Sequence, residues 1–272
     1  MENYSVLLPV YKREKPEYLR KSIQSMIDQT VPTDDFVVVC DGPLTEKLDA
    51  VLSAYESLFP DIFRLVRLEE NRGLGAALNE GMKYCRNNLI ARMDSDDYAY
   101  PDRCEKQLTV FEEKSDVAIV SGTVRECDEN LVPTGKIKKV PQHHAAIFSY
   151  AKRRNPFNHP CVMYKKEVVE KVGGYQPFYL FEDYFLWVRM LLNGAQGYNL
   201  QETVLDMRAG AALYQRRGGW TYVKSGISLR KWMKKQKFIG WWDLFICVCG
   251  QSLVYLLPNS TRGWFYQFFL RK

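Results

Sequence analysis

Histidine is scarce in this chain. There are three in 272 residues, two of them adjacent at His143-His144, and none at metal-ligand spacing. That argues against a zinc site. The seven cysteines include no Cys-x-x-Cys pair. An odd count without spacing argues against a disulfide framework and for reduced thiols in the cytosol. No secretory leader is expected, because Tyr4-Ser5-Val6-Leu7-Leu8-Pro9 is short and lacks a cleavage site. Internal repeats and low-complexity tracts are absent. Acids are nearly missing from the last quarter: residues 208–272 hold twelve lysines and arginines against Asp243 alone. The rest of the chain is net acidic, so the overall charge of +6 conceals two regions facing different surroundings.

The first half alternates apolar runs with amphipathic stretches. Strands are expected at Tyr4–Leu8, Phe36–Cys40, Ile62–Leu68, Leu89–Met93 and Val117–Ser121. Helices are expected at Glu17–Gln29, Thr45–Phe59, Gly75–Cys85 and Pro101–Lys114. This order predicts an α/β fold, a Rossmann-like and mostly parallel sheet flanked by helices. Ligands of such sheets bind outside the carboxyl ends of the strands. Those ends read Pro9-Val10-Tyr11, Asp41-Gly42, Asn71-Arg72-Gly73 and Asp94-Ser95-Asp96-Asp97. After residue 140 the alternation breaks. A loop at Asn155–Pro160 leads to a short strand, Cys161–Tyr164, and a helix, Lys165–Val172, stopped by Gly173-Gly174. A last helix follows Glu182-Asp183.

Three carboxylates at the end of a buried strand repel one another unless a cation sits among them. Hard oxygen donors suit Mg²⁺ or Mn²⁺, which commonly bridge to phosphates. Acidic loops are common, however, and the pattern alone is weak. The Gly73-x-Gly75 pair fails as a dinucleotide fingerprint because it follows the third strand and lacks a third glycine. Glu182-Asp183 fits a helix start, where acids favour the macrodipole. His159, taken alone, reads as structural.

Taken together, the motifs resemble the inverting family-2 glycosyltransferases with the A-type nucleotide-sugar fold. They are Val6–Tyr11, Ser25 with Gln29-Thr30, Val39–Gly42, Asn71–Gly73 through Asn79–Gly81, Asp94–Asp97, Asn158–Pro160, Gly173–Tyr175 and Glu182-Asp183-Tyr184-x-x-Trp187-x-Arg189. The resemblance is to the bacterial capsule, exopolysaccharide and O-antigen type, and it implies roles by position. Pro9, Tyr11 and Asp41 would hold the base of a nucleotide sugar, expected to be UDP-linked. Arg72 would sit near base or phosphates, and Asp94 would contact ribose or metal. Asp96 would bind Mn²⁺ or Mg²⁺ bridging the diphosphate. Asp183 would be the catalytic base. Glu182, Trp187, His159 and Arg208 would line the donor and acceptor pocket. Many relatives carry an Arg-x-His element after the base, but Met207-Arg208-Ala209-Gly210 has no histidine. Arg208, Arg216 or Arg217 would then neutralise the diphosphate.

The expected domains are a catalytic unit, 1–207, and a basic, aromatic-rich helical extension, 208–272. The apolar run Phe238–Leu257 is flanked by basic residues and tryptophans. It predicts an amphipathic helix lying in the membrane surface. Packing on the catalytic unit, or on a second copy as a homodimer, competes with that, as does a true span of borderline length. The apolar content argues against nucleic acid as the partner. The expected setting is the cytoplasmic face of the cell membrane, held peripherally, with a polyprenyl-diphosphate-linked saccharide as acceptor. Two rivals are a nucleotidyltransferase, which would want a glycine-rich loop where Tyr11-Lys12-Arg13-Glu14 stands, and a sugar-nucleotide binding module without turnover.

Overall fold

In a computed structural model of the chain, residues 2–209 and 219–251 are described. Nine strands form one sheet in the order β3-β2-β1-β4-β8-β6-β9-β5, with β7 also paired to β6. Strands β1 (Tyr4–Val10), β2 (Asp35–Cys40), β3 (Phe63–Arg67) and β4 (Leu89–Arg92) run parallel, as the alternation predicts. Helices α1 (Pro16–Ile27), α2 (Glu46–Leu58) and α3 (Leu74–Met82) make the crossovers. Strand β5 (Tyr98–Ala99) and helix α4 (Arg103–Glu113) follow.

The second half departs from the parallel pattern. Strand β8 (Met163–Lys165) inserts antiparallel between β4 and β6 (Val117–Cys127). The long β9 (Gln196–Arg208), which has no counterpart among the expected strands, runs parallel to β6. The hairpin strand β7 (Pro133–Lys138) is also new. Both escape periodicity because β7 is mostly exposed and polar and β9 alternates irregularly. Arg208 closes β9, so it belongs to the sheet and not to the extension.

Strand alternation sorts the core into two layers. Val6, Leu8, Phe36 and Val38 face Leu19, Ile23 and Met26 of α1, Leu48 and Leu52 of α2, and Leu108 of α4. Leu7, Val37, Val39 and Ile90 face α3, α6 (Lys166–Lys171) and α7 (Glu182–Leu192). Helix α3 lies so close to the sheet that a Cβ at Gly81 would stand 2.4 Å from Val39 and 2.5 Å from Leu7. Helix α5 (His144–Tyr150) caps the same layer.

Beyond residue 218, α8 (Trp220–Lys235) buries Tyr222, Val223, Leu229 and Met233. It packs on the base of α7 through ring contacts Phe181–Tyr222 (4.8 Å) and Phe185–Trp232 (4.6 Å). At Gly240 the chain breaks into α9 (Trp241–Ile246) and a π-turn, Cys247–Gln251. The expected helix over 238–257 thus starts at Trp241 and is helical as far as Gln251, and its remainder lies outside the described residues. Among the described residues, no helix is long and apolar enough to cross a membrane.

Candidate active site

The carboxyl ends of β1, β2 and β4 meet the amino end of α3 at one edge of the sheet. Asp41 leaves β2 and is gripped by the loop after β3. Its Oδ1 accepts from the Arg72 amide (2.7 Å), and its Oδ2 from the Gly73 amide (3.0 Å) and Asn71 Nδ2 (2.9 Å). Gly42 permits this approach. It sits at φ +83°, and a Cβ there would stand 2.7 Å from the Asn71 amide. Asp41 thus ties two strand ends together, and three of a carboxylate's about four acceptor positions are already engaged. Pro9 is buried within β1, Tyr11 is half exposed at its end, and the Arg72 side chain is exposed.

Asp94, Asp96 and Asp97 come together after β4, with oxygens within 4.8 Å of one another. The structure divides them. Asp94 is held in a two-pronged pair by the guanidinium of Arg92, one bond being 2.6 Å. Arg92 is 1% exposed, so this pair offsets a buried charge. Its own carbonyl is fixed in turn by Arg103 Nη2 at 2.6 Å. Asp97 accepts the Arg208 amide on Oδ1 (2.8 Å), while its Oδ2 is buried with no hydrogen-bond partner among the described residues. Burial and the neighbouring aspartates push the Asp97 carboxyl well up. Burial, Asp94 and Glu14 push that of Asp96 up to about 7. Glu14 is a fourth carboxylate nearby, and it accepts from the hydroxyl of Ser95 at 2.6 Å.

This donor set fits a hard divalent cation. The oxygens converge, one is orphaned, and the ionised forms are held at a cost that a cation would relieve. Of the three, Asp94 alone is paired to a side-chain cation among the described residues, while Asp97 takes a backbone amide and Asp96 is left to face the others. Asp94 reaches the same point only while shared with Arg92.

Arg208 does not serve as expected. Its Nε donates to the Glu129 carbonyl (2.9 Å), its Nη1 to the Asp96 carbonyl, and its guanidinium lies 3.9 Å over the Tyr18 ring. It is 9% exposed. A cation so committed braces the aspartate loop from behind instead of reaching a diphosphate. Arg216 and Arg217 lie outside the described residues.

Trp187 is likewise not on the pocket surface. It is fully buried, its ring 5.8 Å from those of Phe157 and His159 and 6.3 Å from that of Tyr175. Helix α7 needs a large apolar side chain there to fill the layer beneath the site. His159 is part of the same plug, its Nε2 2.9 Å from the Tyr175 hydroxyl. Burial, with Arg92 and Lys138 near, pushes its pKa well down, so it stays neutral and offers no positive charge to a phosphate. Arg189 is also architectural. It donates to the carbonyls of Val172 and Gly174, clamping the turn before Tyr175. Asn79 of α3 holds Tyr175 from the other side, bonding its amide (2.8 Å) and carbonyl (2.6 Å).

Glu182 and Asp183 open α7. Glu182 lies beside the start of α3: a Cβ at Gly75 would stand 4.0 Å from the Cβ of Glu182. Burial and adjacent Asp183 push the Glu182 carboxyl up to about 7, against the pull of Arg92. Asp183 accepts from Asn155 Nδ2 (2.7 Å) and from the Tyr184 amide (2.6 Å). The site thus holds a crowded aspartate group on one side and a separately held carboxylate pair on another, with Arg92 close enough to act on both.

The sequence matches glycosyl transferase family 2 over residues 5–173. The chain belongs to that family. It is 38% identical over 269 residues to a UDP-Gal:alpha-D-GlcNAc-diphosphoundecaprenol beta-1,3-galactosyltransferase of Escherichia coli, covering 99% of this chain and 97% of that one. It is 36% identical to the amylovoran biosynthesis glycosyltransferase AmsE of Erwinia amylovora, over 97% of this chain and 98% of that one. Among solved structures it resembles TarS of S. aureus (TM-score 0.69, 15% identity), covering 99% of this chain and 46% of TarS. It also resembles a mannosyltransferase of Pyrobaculum calidifontis crystallised with GDP-Man and Mn²⁺ (TM-score 0.64, 16% identity), covering 96% of this chain and 71% of that one. The fold is therefore the A-type glycosyltransferase fold, and the chain is a glycosyltransferase. That sets aside the nucleotidyltransferase and the module without turnover.

Arg92, Glu14 and Asn155 take part in the site without having been anticipated from sequence. Arg92 carried a signal: a lone charge in the apolar run Leu89–Ala91, two residues before Asp94 and so on its face of the chain. Glu14 and Asn155 sit in loops of ordinary composition, and nothing local marks them.

Proposed function

We propose that this glycosyltransferase moves a sugar from a UDP-linked donor to a saccharide carried on polyprenyl diphosphate, with inversion at the anomeric carbon. The observation that carries the reading is the separation of two acidic sites: Asp94, Asp96 and Asp97 after β4, and Asp183 on α7. Inverting transfer needs both kinds. In this reading Asp183 takes the proton of the acceptor hydroxyl as that oxygen attacks the anomeric carbon. The bond from that carbon to the diphosphate oxygen breaks on the opposite face, and UDP leaves. Asp96, with Asp94 and Asp97, would hold a divalent cation, which when bound would supply Lewis-acid stabilisation of the leaving diphosphate. Tyr11, Pro9 and the loop fastened on Asp41 hold the nucleoside, and Glu182 borders the acceptor. The Escherichia coli relative, named for a diphosphoundecaprenol acceptor, and the TarS structures in complex with UDP and UDP-GlcNAc support these choices.

In this reading the acceptor's lipid calls for an enzyme held peripherally at the cytoplasmic face of the membrane. Trp241, Trp242 and Phe245 are 75%, 70% and 58% exposed on α9, with exposed Lys231, Lys235 and Lys237 close by in sequence. Aromatics beside lysines suit an interface carrying anionic headgroups. Replacing all three aromatics by serine should release the protein from phosphatidylglycerol vesicles in flotation. Undiminished flotation would overturn the membrane assignment.

The test of the chemistry is Asp183→Asn. Transfer should fall by about 10²–10⁴-fold, while UDP binding by calorimetry persists. Surviving transfer would remove Asp183 as base, and a product with retained anomeric configuration would remove the inverting mechanism.

A further inference from the structure

Two donors hold Asp183. The Tyr184 amide is local, one residue along the same helix. Asn155 is not: it comes from the loop between α5 and the turn at His159–Cys161, and its Nδ2 lies 2.7 Å from Asp183 Oδ2. We propose that Asn155 is a positioning residue for the base, fixing the plane in which the Asp183 carboxylate meets the acceptor hydroxyl. This inference rests on the reading of Asp183 as the base.

A carboxylate in the first turn of a helix has reason to turn inward and cap free amides. The Tyr184 amide draws Oδ1 that way. The second bond, on Oδ2, opposes this and sets the rotation about the terminal carbon–carbon bond. Two oxygens held by donors from different elements define one orientation, and the remaining lone pairs stay available to a substrate hydroxyl.

Asn155 is itself held. Its Oδ1 accepts from the Phe157 amide at 3.4 Å, which aims the NH₂ group at Asp183. The flanking loop is pinned along its length. Tyr184 Oη donates to the Ala151 carbonyl (2.7 Å), Arg230 Nη2 to the Arg153 carbonyl (2.8 Å), and Asn199 Nδ2 to the Pro156 carbonyl (3.1 Å). Arg153 Nε also pairs with Asp243 of α9 at 2.8 Å. The packed face of the extension thereby steadies the loop that steadies the base.

The experiment uses the full-length enzyme with a UDP-sugar donor and a synthetic lipid diphosphate-linked acceptor it turns over. Asn155→Ala should lower kcat by about 10- to 100-fold, with KM for both substrates within about twofold of the parent. Asn155→Asp keeps the shape and loses the donor, and should lower kcat similarly. Asn155→Ala added to Asp183→Asn should cost nothing further. The exchanged pair, Asn155→Asp with Asp183→Asn, retains an amide–carboxylate bond but moves the carboxylate to the loop. It should recover the thermal stability that Asn155→Asp loses and none of the transfer. The proposal is overturned if Asn155→Ala changes kcat less than twofold, if its effect lies in KM alone, or if the exchanged pair transfers sugar. Should Asp183→Asn itself remain active, the base reading fails first, and this inference with it.

Discussion

Asp94 and Asp96 stand two residues apart, yet the structure predicts opposite consequences for their removal. Asp94→Ala strips the carboxylate from Arg92, whose side chain is 1% exposed. Breaking a buried pair from one side costs about 3–5 kcal/mol, because the other charge is left uncompensated. Asp94 is itself 28% exposed, so water softens the loss to about 2–4 kcal/mol. In a chain of this size that lowers Tm by very roughly 5–10 °C. Asp96→Asn does the reverse in the metal-free protein. The Asp96 carboxyl is pushed from 3.8 up to about 7, so its ionised form disfavours the folded state. The penalty is absent below pH 4, grows as the unfolded chain ionises first, and levels off above pH 7. About 1.4 kcal/mol per pH unit of difference gives an upper bound near 4 kcal/mol. Sharing of the charge among three aspartates reduces this to about 1–3 kcal/mol. Unfolding in urea with EDTA at pH 8 and pH 4 checks both. Asp94→Ala should be less stable than the parent, and Asp96→Asn more stable at pH 8 only. Adding Mn²⁺ should stabilise the parent by mass action and leave Asp96→Asn unmoved. If Asp94→Ala costs no more than Asp96→Asn, the division of labour argued from Arg92 is wrong.

Two further outcomes follow from groups beneath and beside Asp183. Glu182→Gln should stabilise the folded protein above pH 7 and not at pH 4.5. Its carboxyl is raised to about 7, so the folded state loses stability as pH climbs between those values; equal Tm gains at both pH values would refute this. Trp187→Ala should cost about 3–5 kcal/mol, while UDP affinity measured below the unfolding transition stays within a few-fold. A selective loss of acceptor KM with intact stability would return Trp187 to the pocket.

How much of this was legible in the sequence differs between the two halves of the sheet. Strands β1, β2 and β4 are buried along their whole length and β3 in part, and all four alternate with helices of regular apolar spacing, so their succession, and the strand ends that gather at one edge, could be read directly. Past residue 140 the sheet turns antiparallel at β8, a three-residue strand, and β9 pairs with β6 through register shifts at Gly122 and Thr123. Short strands and bulges carry little periodicity. The site residues show the same split. Asp41 and Asp96 follow β2 and β4, and Asp183 lies in the first turn of α7, positions that the order of elements in the sequence already implied. Arg208 and Trp187 were placed in the pocket on the strength of motif order, but motif order does not say which way a side chain points. A cation at a strand end and an aromatic on a helix can both face inward, and here each finds its partners there: Glu129, Asp96 and Tyr18 for Arg208, the Phe157–His159–Tyr175 plug for Trp187.

The change of strand direction has a mechanistic consequence. The parallel half presents only strand ends and the start of α3, surfaces rich in backbone amides and suited to a nucleotide. The antiparallel insertion of β8 carries the chain back across β4, so that the next helices, α6 and α7, return to the same edge from the other half of the sheet. Asn79, bonded to both backbone groups of Tyr175, stitches α3 to the turn before α7. Arg189 locks that turn to α7 itself. The spacing between the aspartate group and Asp183 is therefore set by rigid contacts through α3 and the Gly173-Gly174 turn, not by a flexible loop. The proposed inverting transfer, with the acceptor hydroxyl opposite a leaving diphosphate, needs that spacing held constant. The residues best placed to hold it are those of the motif around α7 that touch no substrate: Trp187, Arg189 and the Tyr175–His159 pair.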